Sequence, residues 1–520
     1  MNPSDYRRDY AAFRTAFERA RFEHHAGLAA RLELRPLEER YADLWTREAF
    51  AELRRAHDET PAQFETERAG LRALSGAAAS GYLEASAREV SEELRRCEES
   101  AAFDWEGARL SSSEAARRLA DERDAARRRE LSRRRLDALR PCEDLRAARL
   151  EALGDAARAL GFESRATLYE SFAGASSSGA SSSSAGAKLE SLSSGAQTFL
   201  ARTEDAYMSR LGEWARRELP TGATPEYADL SFFERAAGTE ASLPAREFRA
   251  MYEAALAGVG VRVGSLRSLH VDEAARPGKA AETACFAVAP PSDVRLVVGS
   301  DAGGLGFQRR SFQEGGRAQM FAWASRESSA RYPEFVHAPD RAAEFGHGLL
   351  LSSLFREPAW LAARRGMRAA EAEETARLSA LLDLSAARRD CASLAYALAL
   401  DAAADVRTES LAEEYSATFG GATGFSHTSA SRLLDADEWF ASATRLRARL
   451  FAASLGEHLR ARHGRRWFEA RRAGEELIDI WNTASRYCAE ELARLAWGGE
   501  LSFELLADAS LASLEGAGGV

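Results

Sequence analysis

Lysine is almost absent from the 520 residues: Lys188 and Lys279 stand alone, and arginine carries nearly all the positive charge. With the abundance of alanine, this reads as coding bias and carries no functional weight. A basic surplus is lacking too, since Lys+Arg 70 against Asp+Glu 80 leaves a net charge of −10. No global positive field draws the chain to nucleic acid, so no nucleic-acid partner is expected. Cysteine is scarce. Cys97, Cys142, Cys285, Cys391 and Cys488 are odd in number, lie more than forty residues apart and form no Cys-x-x-Cys pair. That pattern predicts reduced thiols and excludes a thiolate zinc site. The first residues, Met1 to Arg8, contain no apolar signal-peptide core. The longest apolar stretches, such as Ala392 to Leu400, are cut by charges like Asp401 well short of the ~20 residues a membrane span needs. A cytoplasmic chain with no membrane partner is therefore expected.

What is present is the material of a large core: 45% hydrophobic and 29% charged residues. Length alone suggests about three domains. From Tyr6 to about Leu168, apolar residues recur every three or four positions among Arg and Glu, as at Leu131, Leu136, Leu139, Leu145, Leu150 and Leu153. This spacing predicts long amphipathic helices, and the arginines of 126–135, interleaved with Glu122, Asp124 and Glu130, are expected on a solvated face. A Ser/Gly/Ala segment at 172–188 reads as a loop or linker. It separates an N-terminal helical region, 1–171, from a longer region, 189–520, expected to be continuous with it in one elongated body. The one clear β signal runs from 259 to 300, with Gly260–Val263 and Asp293–Val298 as strand-like runs. The fold class is mainly α, with a small β element.

After Val294–Val298 comes a glycine turn and then Ser311-Phe-Gln313-Glu314-Gly-Gly-Arg317-Ala318-Gln-Met320. Positions 313 and 317 share a helix face. Were both histidine, they would form the zinc-binding His-Glu-x-x-His helix, whose Glu polarises the metal-bound water. Here they are Gln and Arg.

With its context, the stretch resembles the thimet oligopeptidase and oligoendopeptidase F family of zinc metallopeptidases, as a degenerate member. Glu314, Gly316 and Ala318 fit that family's His-Glu-x-Gly-His-Ala-x-His frame, while Gln313, Arg317 and Met320 replace its histidines. Asp340-Arg-Ala-Ala-Glu344 looks like the second helix with its ligand glutamate, and Arg276-Pro-Gly-Lys279 like the turn before the β segment. Ala422-Thr-Gly-Phe425, Leu434-Asp-Ala-Asp437 and Gly464-Arg-Arg-Trp467 resemble the closing helices. The resemblance implies a helical clam-shell around a channel. It also implies tyrosines near 441 and 445 that assist the oxyanion, where this chain has Ala441 and Arg445.

Gln is a poor zinc ligand and Arg a permanent cation, so no cofactor is expected and the ancestral zinc is lost. Glu314 becomes a vestigial base, and Arg317 is expected to bridge Glu314 and Glu344, sparing the uncompensated buried charge that is otherwise left. The expected function is that of an inactive homologue whose channel binds a peptide or a protein, such as an active paralogue. The alternative is a metallopeptidase-family enzyme with a non-standard metal site or with repurposed chemistry at Glu314. One such site would join Glu344, His347 and Glu314 as ligands. His347, His427, Ala441 and Arg445 are the channel or substrate candidates, whereas His24, His25, His57 and His463 are expected to face solvent. Ser311 and Cys285 lack the surroundings of a nucleophile elbow.

Overall fold

The computed structural model describes residues 2–174 and 188–516, so most of the serine-rich segment expected as a linker lies outside the described residues. As expected, the fold is mainly helical. The amphipathic spacing of the first third becomes the helices Pro3–His25, Arg47–Glu59, Glu65–Ser86, Arg88–Ser100, Ala125–Leu139 and Glu143–Ala159. They bury a core of their own around Tyr6, Phe13, Leu53, Leu74 and Leu153. The larger core, from Leu189 onward, is built on the helices Leu189–Glu218, Leu305–Trp323, Ala342–Ser352, Ala369–Ala402 and Ala441–His463.

The β content departs from the sequence reading in two places. Strands β1 (Ala102–Trp105) and β2 (Ala108–Ser111) form an unexpected hairpin, closed by Glu106 and Gly107 at φ 51° and 81°, the left-handed pair that a two-residue hairpin turn demands. Gly260–Val263 is not a strand; Val263–Ser265 is a 3₁₀ turn. The second sheet consists of β3 (Leu269–Asp272), β4 (Ala284–Ala289) and β5 (Asp293–Val297), in the order β3-β5-β4. β3 runs parallel to β5 and β4 antiparallel to it, which leaves β4 as an edge.

This small sheet joins the two cores. Phe286, Val288 and Val297 bury against Ala26 at the end of the first helix. Beside them Gly27, at φ 72°, sits so close to the 276–279 turn that a Cβ would stand 2.7 Å from the Pro277 carbonyl oxygen. Lys279 reaches back from that turn to the carbonyls of Asp272 and Ala274, 3.0 Å each.

Three further expectations are corrected. Cys97 and Cys142 form a disulfide between helix Arg88–Ser100 and the start of Glu143–Ala159, leaving Cys285, Cys391 and Cys488 as free thiols. Arg128 is not on a solvated face: it is fully buried, with two bonds to Asp229 and its guanidinium over Phe232, while Arg127, Arg133 and Arg134 do lie outside, paired with Glu122 or Glu130. His463 turns inward and shares Glu476 with His458, at 2.8 and 2.7 Å. No described helix is long and apolar enough to cross a membrane.

Candidate functional site

A cleft of about 1770 Å³ runs between the N-terminal helices and the larger core. Its walls come from helices Pro3–His25 and Arg88–Ser100 on one side, and from β4 and helices Leu305–Trp323 and Ala342–Ser352 on the other. Phe13, Trp45 and Trp439 add aromatic surface.

The two helices on the far wall cross in near backbone contact. Gly316 faces the other helix so closely that a Cβ would stand 2.6 Å from the His347 carbonyl oxygen, and one on Gly348 would stand 2.5 Å from that of Gln313. Larger residues at either point would hold the helices apart. This crossing brings Glu314 and Glu344 within reach of one side chain. The Arg317 Nε donates to Glu344 Oε1 at 2.7 Å, and its Nη1 donates to Glu314 Oε2. The guanidinium therefore bridges the two carboxylates.

Two groups that the sequence reading missed complete the arrangement. Arg341 grips Glu344 through Nε and Nη2, at 3.0 and 2.6 Å, and the Phe345 ring lies under both guanidinium groups. The i, i+3 spacing of Arg341 and Glu344 was a readable signal for that contact. The backbone N–H of Cys285 on β4 donates to Glu314 Oε2 at 2.8 Å, and Thr283 bonds Ser311 beside it at 2.7 Å. A backbone donor leaves no trace in sequence. Burial would raise the Glu344 carboxyl, but the Arg341 and Arg317 cations outweigh it and hold it at about 2. Burial works against the Arg317 cation, yet Glu314 and Glu344 raise its pKa well above the ordinary value. The Cys285 thiol, next to this group, is pushed up chiefly by burial, the opposite of what activates a nucleophile.

The donor set does not fit the zinc ion that the resemblance implies. The Gln313 carboxamide nitrogen is directed at Ser352 Oγ, 3.5 Å away, and a guanidinium occupies the second ligand position. Both oxygens of Glu344 are already bonded to arginine. Among the described residues, no group of three or more His, Cys, Asp and Glu side chains is arranged to hold a metal ion.

Glu314, Arg317 and Glu344 line the cleft; His347, His427, Ala441 and Arg445 are not among its lining residues. His347, one turn after Glu344, points into the core against Phe451 and Trp481, with both ring nitrogens unpartnered. Burial lowers its pKa to about 3. His427 sits among the rings of Tyr227, Tyr415 and Phe419, with Nδ1 2.9 Å from the Phe425 carbonyl. Arg445 is paired with the buried Asp390 at 2.6 Å, which also takes Arg449, and the Ala441 N–H bonds Asp437 at 2.8 Å. Each of the four is thus held by the core or by a local ion pair or cap. The cleft instead receives His337, Arg14 and Glu18, the last two from the first helix, some 300 residues away in sequence.

No protein-family model and no curated protein matches this sequence. Solved structures do match. The chain superposes on metallocarboxypeptidase 1 of Trypanosoma cruzi with a TM-score of 0.60 and 13% identity, covering 97% of this chain and 98% of that one. A protein assigned as oligoendopeptidase F from Bacillus anthracis str. Ames gives 0.64 and 14%, over 95% and 87%. The M32 carboxypeptidase of Deinococcus radiodurans R1 gives 0.60 and 12%, over 98% of each. At such identities the likeness establishes the fold: this chain has the helical architecture of these metallopeptidases over nearly its whole length.

Proposed function

We propose that the chain is an inactive relative of the peptidases whose fold it has, one that uses the cleft to bind a peptide or an extended segment of a partner protein. The observation that carries this reading is the Arg317 guanidinium bridging Glu314 and Glu344. A permanent cation there repels a divalent ion, and it already holds one oxygen of each carboxylate. The cleft remains suited to an extended chain. β4 is the edge of its sheet, its residues Ala284–Ala287 line the cleft, and aromatic rings stand opposite. An active paralogue is one candidate partner, to be sought by co-purification from the native cell. Repurposed chemistry at Glu314 has less support, because the Arg317 and Cys285 donors on its Oε2 stabilise the ionised carboxylate and weaken it as a base.

Metal analysis of the purified protein, paired with a peptidase assay, tests the proposal. Zinc well below one per chain and no turnover are expected. Stoichiometric zinc, lost together with peptidase activity on Glu344→Ala, would overturn it. The Gln313→His/Arg317→His variant is expected to gain zinc with little turnover, since Ala441 and Arg445 stand where the resemblance implies tyrosines.

A further inference from the structure

A second pocket, of about 480 Å³, opens at the end of helix Leu305–Trp323 and shares no lining residue with the cleft. Its size is that of a small-molecule site. Three pieces of chain meet there: the 265–268 turn before β3, the 322–326 stretch that ends the helix, and Asn482, the last residue of helix Arg471–Asn482.

The charge of this pocket is one-sided. Arg267 and Arg326, both exposed, come from different walls, and no Asp or Glu lines the space between them. Among the described residues neither guanidinium has an ion pair or a hydrogen bond, although acidic residues outnumber basic ones by 80 to 70. Cations often gather at helix C-termini, whose last carbonyls carry partial negative charge. Here the final carbonyl of each helix is taken by other groups. That of Trp323 accepts from Asn482 Nδ2 and that of Asn482 from the Ser325 N–H, at 3.1 Å each. The guanidinium donors are therefore unused by the fold.

The pocket also offers a flat ring. Trp323 is partly exposed, and among the described residues no other aromatic ring lies against it. Its Nε1 donates to Gln319 Oε1 at 3.2 Å; the buried Gln319 donates in turn to the Tyr252 hydroxyl at 2.6 Å, which donates to the Gly315 carbonyl at 2.9 Å. This chain of bonds holds the indole from behind, so a ring that stacks on it meets a surface already ordered. Free guanidinium forks match phosphate oxygens, two positive charges match a phosphate dianion, and an indole face takes a planar base.

We propose that this pocket binds a nucleoside monophosphate, with its phosphate held by Arg267 and Arg326 and its base on Trp323. Occupancy of the cleft by a peptide is not required.

Isothermal titration calorimetry of the full-length chain at pH 8 tests this with AMP, GMP, CMP and UMP, the four nucleosides, and inorganic phosphate. At least one nucleotide is expected to bind about tenfold or more tightly than both its nucleoside and phosphate, because both halves then contribute. Arg267→Gln and Arg326→Gln should each weaken that nucleotide about tenfold, with lysine at either place restoring part, and Trp323→Leu should weaken it as well. Since neither arginine bonds anything in the fold, its glutamine variant should keep Tm within about 1 °C, so that lost binding reports the site and not the fold. A nucleoside or phosphate alone binding as tightly as the nucleotide overturns the proposal. So does nucleotide binding that Arg267→Gln/Arg326→Gln leaves unchanged, and so does binding of no nucleotide at millimolar concentration. If Trp323→Leu fails to fold, the comparison of nucleotide with phosphate on the wild-type chain still decides whether the base is recognised.

Discussion

Replacing Arg317 with methionine keeps most of the side-chain length and removes the charge that bridges Glu314 and Glu344. Removing one partner of a buried ion pair costs about 3–5 kcal/mol, because the other charge is left unpaired. Two features put this case at the low end: Glu344 retains Arg341, and Glu314 retains the Cys285 N–H and is 20% exposed. About 3 kcal/mol is therefore expected at pH 8. For 520 residues at roughly 2.1 cal/mol/K each, the entropy of unfolding is about 1.1 kcal/mol/K, so Tm should fall by about 3 °C. The pH dependence follows from the Glu344 carboxyl. Its pKa in the folded wild type is about 2, against an ordinary 4.5. A lowered carboxylate contributes stability that is present above 4.5 and lost as the pH falls through 4.5 toward 2. Without Arg317 the Glu344 carboxyl titrates higher, so Arg317→Met has less of that stability to lose on acidification. The two proteins should converge as the pH drops from about 4.5 toward 2. Urea unfolding followed by circular dichroism at several pH values measures this, and Glu314→Gln/Arg317→Met should recover part of the loss at pH 8. An Arg317→Met variant within 0.5 kcal/mol of wild type at pH 8, with a parallel pH profile, would refute the bridge as the element that neutralises these carboxylates.

Two further outcomes are open to simple measurement. Protein unfolded in guanidinium without reductant should show three reactive thiols and, after reduction, five; five before reduction would eliminate the Cys97–Cys142 bond. The bond closes a loop with a sequence separation of 45, so reduction should destabilise the fold by roughly 4 kcal/mol on the chain-entropy account. His347 supplies a second pH effect. Its folded pKa of about 3 lies below the ordinary 6.5, so the folded state holds it neutral and stability falls as the pH drops below 6.5. Between pH 7 and pH 5 the wild type should lose up to about 2 kcal/mol more than His347→Leu, and identical profiles would show that the imidazole is not buried unpaired.

The site was legible in the sequence where its logic is local or electrostatic. Helical spacing placed 313, 314 and 317 on one turn, and the cost of two unpaired carboxylates already required Arg317 to lie between them. Contacts made by backbone, or by residues distant in the chain, were not legible. The Cys285 N–H has no side chain to announce it, and Arg14 and Glu18 reach the cleft only because Gly27 lets the first helix dock on the 276–279 turn. His463 looked exposed among charges, yet its neighbour in space is Glu476 on the next long helix. The Cys97–Cys142 pairing is invisible to spacing for the same reason. The β1–β2 hairpin is the reverse case: its Glu106-Gly107 turn was present in the sequence, but the short flanking runs were hidden between strong helical signals.

The Gly316–Gly348 crossing and Arg317 constrain each other. The crossing forces Glu314 and Glu344 to share one small volume whether or not anything stands between them. A neutral residue at 317 would leave Glu344 with Arg341 and Glu314 with the Cys285 N–H, and would remove the one cation that pairs with both carboxylates. A lysine would bring the charge but not the fork that addresses both carboxylates at once, through Nε to one and Nη1 to the other. The arginine present pairs with both carboxylates from within the site, so the charge of Glu314 and Glu344 is met without any bound ion.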